Sequence, residues 1–122
     1  MRSEKFSIRK RLTSFIYAFR GIRQFVWLEH NARIHLVATI TVVIVAIVLK
    51  VTTVEAALLT IVTGGVWITE IINTAIERLA DLITKEHHPG IKIIKDLAAG
   101  AVLVAAVTAV AVGLFIFIPK II

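Results

Sequence analysis

The segment Ile68 to Asp81 reads ITEIINTAIERLAD and places three carboxylates and a carboxamide inside an oily run. At 100° per residue, Glu70, Asn73, Glu77 and Asp81 fall within about 80° of one another on a helical wheel. Carboxylates gathered on one face repel unless a proton or a cation sits among them. Hard oxygen ligands favour Mg²⁺, which is usually held through one or two carboxylates plus substrate phosphates. An acid within an apolar segment normally faces protein or water and is a functional candidate by default. The plainer alternative is a helix leaving the membrane with a solvated acidic face. That suits Asp81 well, Glu77 moderately and Glu70 poorly.

Two further polar groups lie at matching positions along the chain. One is Glu29-His30-Asn31-Ala32-Arg33-Ile34-His35, and the other is Glu86-His87-His88-Pro89-Gly90 followed by Lys92, Lys95 and Asp96. Acids from two segments and Lys95 from a third are expected to converge on one membrane level. That supplies what a Mg-nucleotide site needs: carboxylates for the metal, a cation for phosphate and a base at the lipid boundary. His87 and His88 read as a loop pair, a weak metal site or a nucleotide contact, since adjacent histidines form no specific metal motif. His35 reads as a hydrogen-bonding residue between helices. The glycine-rich phosphate signatures of soluble nucleotide-binding proteins are absent from the sequence.

The elements that must position these residues follow from composition. The chain has 122 residues, 58% of them hydrophobic, and a mean hydropathy of +0.91. Soluble domains are typically about 45–50% apolar, so an all-α integral membrane protein is expected. The stretch 97–118 carries no charge and reaches roughly 33 Å as a helix, enough to cross. Further spans are expected over 34–51 and 54–72, with Glu55 closing a capping box on Thr52. Residues 73–96 form the end of the second spanning helix and a loop in which Pro89-Gly90 marks a turn. Residues 1–30 form an amphipathic helix on the membrane surface, with Leu12, Phe15, Ile16, Phe19, Ile22 and Val26 in its apolar stripe.

Lysines and arginines concentrate before the first span and between the second and third, which puts the N-terminus and the acidic segment in the cytoplasm. The net charge of +6 then reflects membrane-facing loops, not nucleic acid. No cleavable signal peptide is expected, and without cysteine there are no disulfides or thiolate metal sites. Ala101, Ala105, Ala109 and Gly113 make a small-residue ridge for close helix approach. Gly64-Gly65 reads as a packing site.

The block Glu70-Ile71-Ile72-Asn73-Thr74-Ala75-Ile76-Glu77, then Asp81, then Lys95-Asp96 with Ala98-Ala99-Gly100-Ala101-Val102, resembles the prokaryotic diacylglycerol kinase and undecaprenol kinase family. The resemblance runs from about Tyr17 to Lys120. It implies a small membrane kinase of the cell inner (cytoplasmic) membrane, a homotrimer of three-span subunits with a surface helix and active sites shared between subunits. It implies Glu70 as the general base on the lipid hydroxyl and Glu29 and Glu77 as ligands of Mg²⁺. It implies Asn73, Glu77, Lys95 and Asp96 at the ATP site, Lys95 on the transferred phosphate. Tyr17, His87 and His88 match positions near the nucleoside, and Lys10 falls where the family often has a basic residue.

His35, His87-His88-Pro89, Glu29-His30-Asn31, Asp81-Leu82-Ile83-Thr84 and the segment Gly113 to Lys120 look more like the undecaprenol branch than the diacylglycerol branch. Undecaprenol is therefore the expected acceptor, with diacylglycerol the alternative. A non-catalytic membrane anchor leaves the converging acids and Lys95 unaccounted for. A small cation channel requires a polar stripe through the second span, where Val54 to Ile68 offers only Thr60 and Thr63 beyond Glu55.

Overall fold

A computed structural model describes residues 5–122; the surface-helix expectation for residues 1–4 lies outside the described residues. Four helices follow in order: α1 (Ile8–Leu28), α2 (His30–Val48), α3 (Thr53–Ile83) and α4 (Pro89–Ile121). By length and composition, α2, α3 and α4 are able to cross a membrane.

Helix α1 starts where the Ser7 hydroxyl accepts the Lys10 backbone N–H. It stops at Glu29, whose backbone is extended and which also caps the start of α2. A single non-helical residue therefore turns the chain from the surface helix into the first span. The apolar stripe of α1 is mostly exposed: Leu12, Phe15, Ile16, Phe19 and Ile22 all face outward. The one α1 residue that is buried is Phe25, which meets Trp67 of α3 edge-on at 6.0 Å between ring centroids.

Helix α2 ends at Val48, three residues short of the expected 34–51 span, because the chain is closed there by a Schellman motif. The Val51 N–H donates to the Ala46 carbonyl and the Lys50 N–H to the Ile47 carbonyl. Lys50 takes the left-handed position at φ 54°, a place usually held by glycine. Helix α3 opens with the capping box anticipated from Thr52 and Glu55: the Thr52 hydroxyl accepts the Glu55 N–H, and the Glu55 carboxylate accepts the Thr52 N–H at 2.8 Å. It then runs unbroken beyond the expected 54–72 span to Ile83, since no glycine or proline interrupts residues 66–83.

Pro89-Gly90, read from sequence as a turn, instead opens α4. Proline suits the first helical position because its missing N–H would have no partner there. His88 caps the helix, its Nδ1 accepting the Gly90 N–H at 3.0 Å. Helix α4 thus begins eight residues before the expected 97–118 span.

Helices α3 and α4 form an antiparallel hairpin pinned at both ends. Lys95 meets Asp81 at 2.7 Å at one end, and Lys120 meets Glu55 at 2.9 Å at the other. The two helices cover about 39 Å and about 38 Å between those pins, so the register matches and the pins bracket a hydrocarbon core of about 30 Å.

The buried residues among those described are Phe25, Ala32, Leu59, Val66, Ala80, Ile116 and, alone among them in carrying charge, Glu70. Most large apolar side chains point outward, Ile61, Leu103, Val107 and Phe115 among them. Such a surface is stable only against lipid or another protein. Ala105, Ala109 and Gly113 are half-buried, but a Cβ placed on Gly113 would approach only Phe117 of the same helix, at 4.0 Å. At Gly64 and Gly65 nothing lies within 4 Å. Among the described residues, therefore, no close helix approach is made at Gly64-Gly65, although both are half-buried.

Candidate active site

Glu70 is buried on the side of α3 that meets α2. Measured along α3 from the Glu55 pin, about 30 Å of helix reaches the level of Ala75. Glu70 therefore lies more than one turn inside the apolar layer, and it is 6% exposed. An isolated carboxylate in such surroundings is strongly disfavoured. Its partner is His35 of α2, with Nε2 at 2.9 Å from Oε1. His35 thus hydrogen-bonds between helices, as its position near the start of the first span suggested.

The backbone that carries His35 is itself fixed. One turn along α2, the Thr39 hydroxyl donates to the His35 carbonyl at 2.7 Å. The same hydroxyl oxygen accepts the Trp67 indole N–H from α3 at 2.8 Å. Trp67 lies nearly one turn before Glu70. Residues 35 and 39 of α2 therefore meet residues 70 and 67 of α3, rung by rung. Phe25 packs on the same Trp67 ring and so ties α1 to the rungs.

The narrow acidic face of α3 is divided among different partners. Glu70 turns toward α2, Asp81 toward Lys95 of α4, and Glu77 accepts from Asn73 Nδ2 at 3.3 Å. The Lys95 ammonium beside Asp81 holds that carboxyl below the usual aspartate range. Asp96 pairs with Lys92 one turn back along α4 at 2.7 Å, and this carboxylate raises Lys92 above the ordinary lysine value. Glu29, at the corner between α1 and α2, is bound by the Arg78 guanidinium. Arg78 directly follows Glu77, so Glu29 is drawn to the same turn of α3.

The sequence-derived candidates are therefore only partly assembled in the single chain. Asn73 and Glu77 are bonded to each other on α3, while Glu29 reaches that helix only through Arg78. Lys95 points at Asp81. Tyr17 is exposed on α1 beneath the Arg20 guanidinium, 5.5 Å from the ring centroid. Lys10 is exposed near the start of the same helix, His87 is exposed in the loop, and His88 serves as a helix cap. Sequence reasoning passed over Arg78, Thr39, Trp67 and Phe25. A usable signal existed for two of them: Thr39 lies four residues from His35, and Trp67 three from Glu70, so each shares a helix face with a polar partner.

Among the described residues no three of His, Cys, Asp and Glu cluster to hold a metal. The donors present nevertheless suit Mg²⁺, which needs only one or two carboxylates when phosphates complete its shell. Beside Glu77, the Asn73 Oδ1 is buried with no hydrogen-bond partner. It is an unclaimed hard oxygen in the right place for a cation or a donor on a ligand.

Residues 16–117 match the family model described as prokaryotic diacylglycerol kinase. The chain belongs to that family. It is 42% identical over 107 residues to the undecaprenol kinase of Bacillus subtilis, covering 88% of this chain and 87% of that protein. It is 38% identical over 109 residues to a diacylglycerol kinase of Synechocystis, covering 88% of this chain and 62% of that protein. It is 36% identical over 95 residues to the diacylglycerol kinase of Escherichia coli, covering 77% of each. Family membership and the three spans together make this chain a multi-pass membrane lipid kinase, an alcohol-group phosphotransferase that uses ATP.

Proposed function

We propose that this kinase transfers the γ-phosphoryl group of Mg-ATP to the hydroxyl of undecaprenol, with Glu70 as general base. The observation that carries the reading is a buried carboxylate within the apolar layer, with one oxygen held by His35. A lipid alcohol reaches that depth from the bilayer, while water and nucleotide arrive from the Asp81 end. The hydroxyl proton passes to Glu70, the lipid oxygen forms a bond to the γ-phosphorus, and the bond to the β,γ-bridging oxygen breaks to release ADP. Such transfers depend mainly on positioning and charge stabilisation.

Glu29 and Glu77 would hold the Mg²⁺, which supplies charge neutralisation on the phosphates. Asn73, Glu77, Lys95 and Asp96 serve the nucleotide, with Lys95 leaving Asp81 for the transferred phosphate. Lys10, Tyr17, His87 and His88 lie toward the nucleoside. Since several of these stand apart in one chain, a neighbouring subunit completes the site, and a homotrimer is the assembly. Gly64 and Gly65, where an added Cβ would meet nothing within 4 Å, support this by leaving room for another copy. The distribution of Lys and Arg favours an inner-membrane location with the N-terminus and active site cytoplasmic. Similarity to the Bacillus subtilis undecaprenol kinase over most of both chains, together with His35 and His87-His88, favours undecaprenol over diacylglycerol.

The deciding experiment is phosphate transfer from labelled Mg-ATP to undecaprenol and to diacylglycerol, side by side in micelles. Strong labelling of undecaprenol is expected. Preference for diacylglycerol would keep the chemistry and overturn the acceptor.

A further inference from the structure

The mechanism above requires Glu70 to offer the lipid hydroxyl a free carboxylate oxygen in a fixed position. A protonated carboxyl cannot accept the lipid hydroxyl proton. Something in the structure must hold the charged form in place, and the candidates are few. On α1 and at its corner with α2, Glu29 is bound by Arg78 of α3. On α2, Arg33 turns its guanidinium to the Trp27 carbonyl at 2.7 Å, and His30 is exposed. On α3, Glu77 lies about two turns away, bonded to Asn73. On α4, residues 97–118 carry no charge, and Lys92 and Lys95 are bonded to Asp96 and Asp81. His35 is the titratable group in contact with Glu70.

We propose that His35 is a positioning residue for the base: its Nε2–H holds Glu70 Oε1, keeps the carboxylate ionised and leaves Oε2 to take the acceptor's proton. This rests on the reading of Glu70 as general base. Three observations support it. The 2.9 Å between His35 Nε2 and Glu70 Oε1 is a hydrogen-bond distance, and with Glu70 ionised, as its role as base demands, the proton of that bond lies on Nε2. The bond therefore survives whether the imidazole is neutral or cationic. The ring is 24% exposed against 8% for the Glu70 side chain, so histidine gives up less hydration than the acid it serves. Lastly, the Thr39 bond to the His35 carbonyl, with Trp67 bonded to the Thr39 hydroxyl, fixes the backbone from which the ring reaches. A donor locked by packing and by bonds behind it is the arrangement a precise base needs.

The test is the pH–rate profile of the full-length enzyme in micelles for wild type, His35→Leu, His35→Gln and Glu70→Gln, with melting temperatures measured alongside. His35→Leu is expected to lose 10- to 100-fold in kcat at neutral pH. Its acid limb moves to higher pH, and its rate recovers toward wild type at alkaline pH. KM for Mg-ATP stays within about two-fold, because the residue touches no nucleotide. His35→Gln, which retains an N–H donor, restores the limb toward its wild-type position. A His35→Leu profile that matches wild type, or falls evenly at every pH with a raised KM, overturns the proposal. A Glu70→Gln enzyme that keeps turnover overturns the base reading and the proposal together; a dead Glu70→Gln with an unshifted His35→Leu overturns the role of His35 alone. If His35→Leu does not fold, nitrogen-15 NMR of wild-type His35 decides. Nε2 protonated across the working pH range, with its signal displaced in Glu70→Gln, upholds the proposal. A bare Nε2 overturns it.

Discussion

Glu55 and Glu70 are the same side chain on the same helix, about four turns apart, and their surroundings give them opposite characters. Glu55 sits at the membrane boundary and its Oε1 is already engaged twice, by the Thr52 N–H and by Lys120. Its charge is spent on starting α3 and pinning it to α4. Glu70 lies within the apolar layer with a single partner on one oxygen, so the other oxygen is available for a reacting hydroxyl. On this difference rests the proposal of Glu70, not Glu55, as the base: what sets it apart is incomplete satisfaction in a dry place, not acidity.

The comparison breaks most sharply at the two acids themselves. Glu70→Gln is expected to lower turnover by about 10²–10⁴-fold with Mg-ATP binding largely retained, as read by single-turnover assay and nucleotide titration. Glu55→Gln in the same assay is expected to keep wild-type turnover per folded molecule. Equal losses in both would remove the distinction. Next in size, Glu77→Gln is expected to raise the Mg²⁺ concentration for half-maximal rate by about ten-fold or more, with the maximal rate partly recovered at high Mg²⁺. An unchanged Mg²⁺ dependence would take Glu77 out of the metal site.

The structural acid offers a smaller effect. Thr52→Ala removes the side-chain half of the capping box and is expected to cost about 1 kcal/mol of stability, seen in the midpoint of denaturation, without altering kcat. Smallest of all is the exposed Asp81–Lys95 pin. Lys95 depresses the aspartate's folded-state value. Any stability it lends is therefore full above the ordinary aspartate value and lost as pH falls through the depressed one. Wild type and Asp81→Asn should melt with a small gap at neutral pH, and that gap should close on acidification. Surface pairs of this kind contribute little, so a large gap at neutral pH would show that the pin carries more of the hairpin than its exposure suggests.

How much of this was legible in advance differs by residue. Thr52 and Glu55 could be read as a capping box because a cap is local: its partners are three residues apart and fixed by helix geometry. The three spans followed from hydropathy for the same reason. The start of α4 was misread at Pro89-Gly90, since Pro-Gly suits both a turn and the first turn of a helix, and only the His88 cap decides between them. The grouping of Glu70, Asn73, Glu77 and Asp81 on one face was correct as a wheel. It did not reveal that the face is shared between α2 and α4.

The sequence by itself determined an all-helical membrane protein, a polar cluster at one end of its spans and, through the Glu70 to Glu77 block with Lys95-Asp96, its kinase family. These are properties of spacing and composition along one chain. Only the tertiary structure decided that Glu70 is held by His35, that Thr39 and Trp67 stand behind that bond, that Glu29 reaches α3 through Arg78, and that Lys95 rests on Asp81. Those pairs join residues 14 to 49 positions apart. Their meeting depends on the relative depth and rotation of packed helices, which hydrophobic periodicity leaves free in lipid, where every apolar face is equally content.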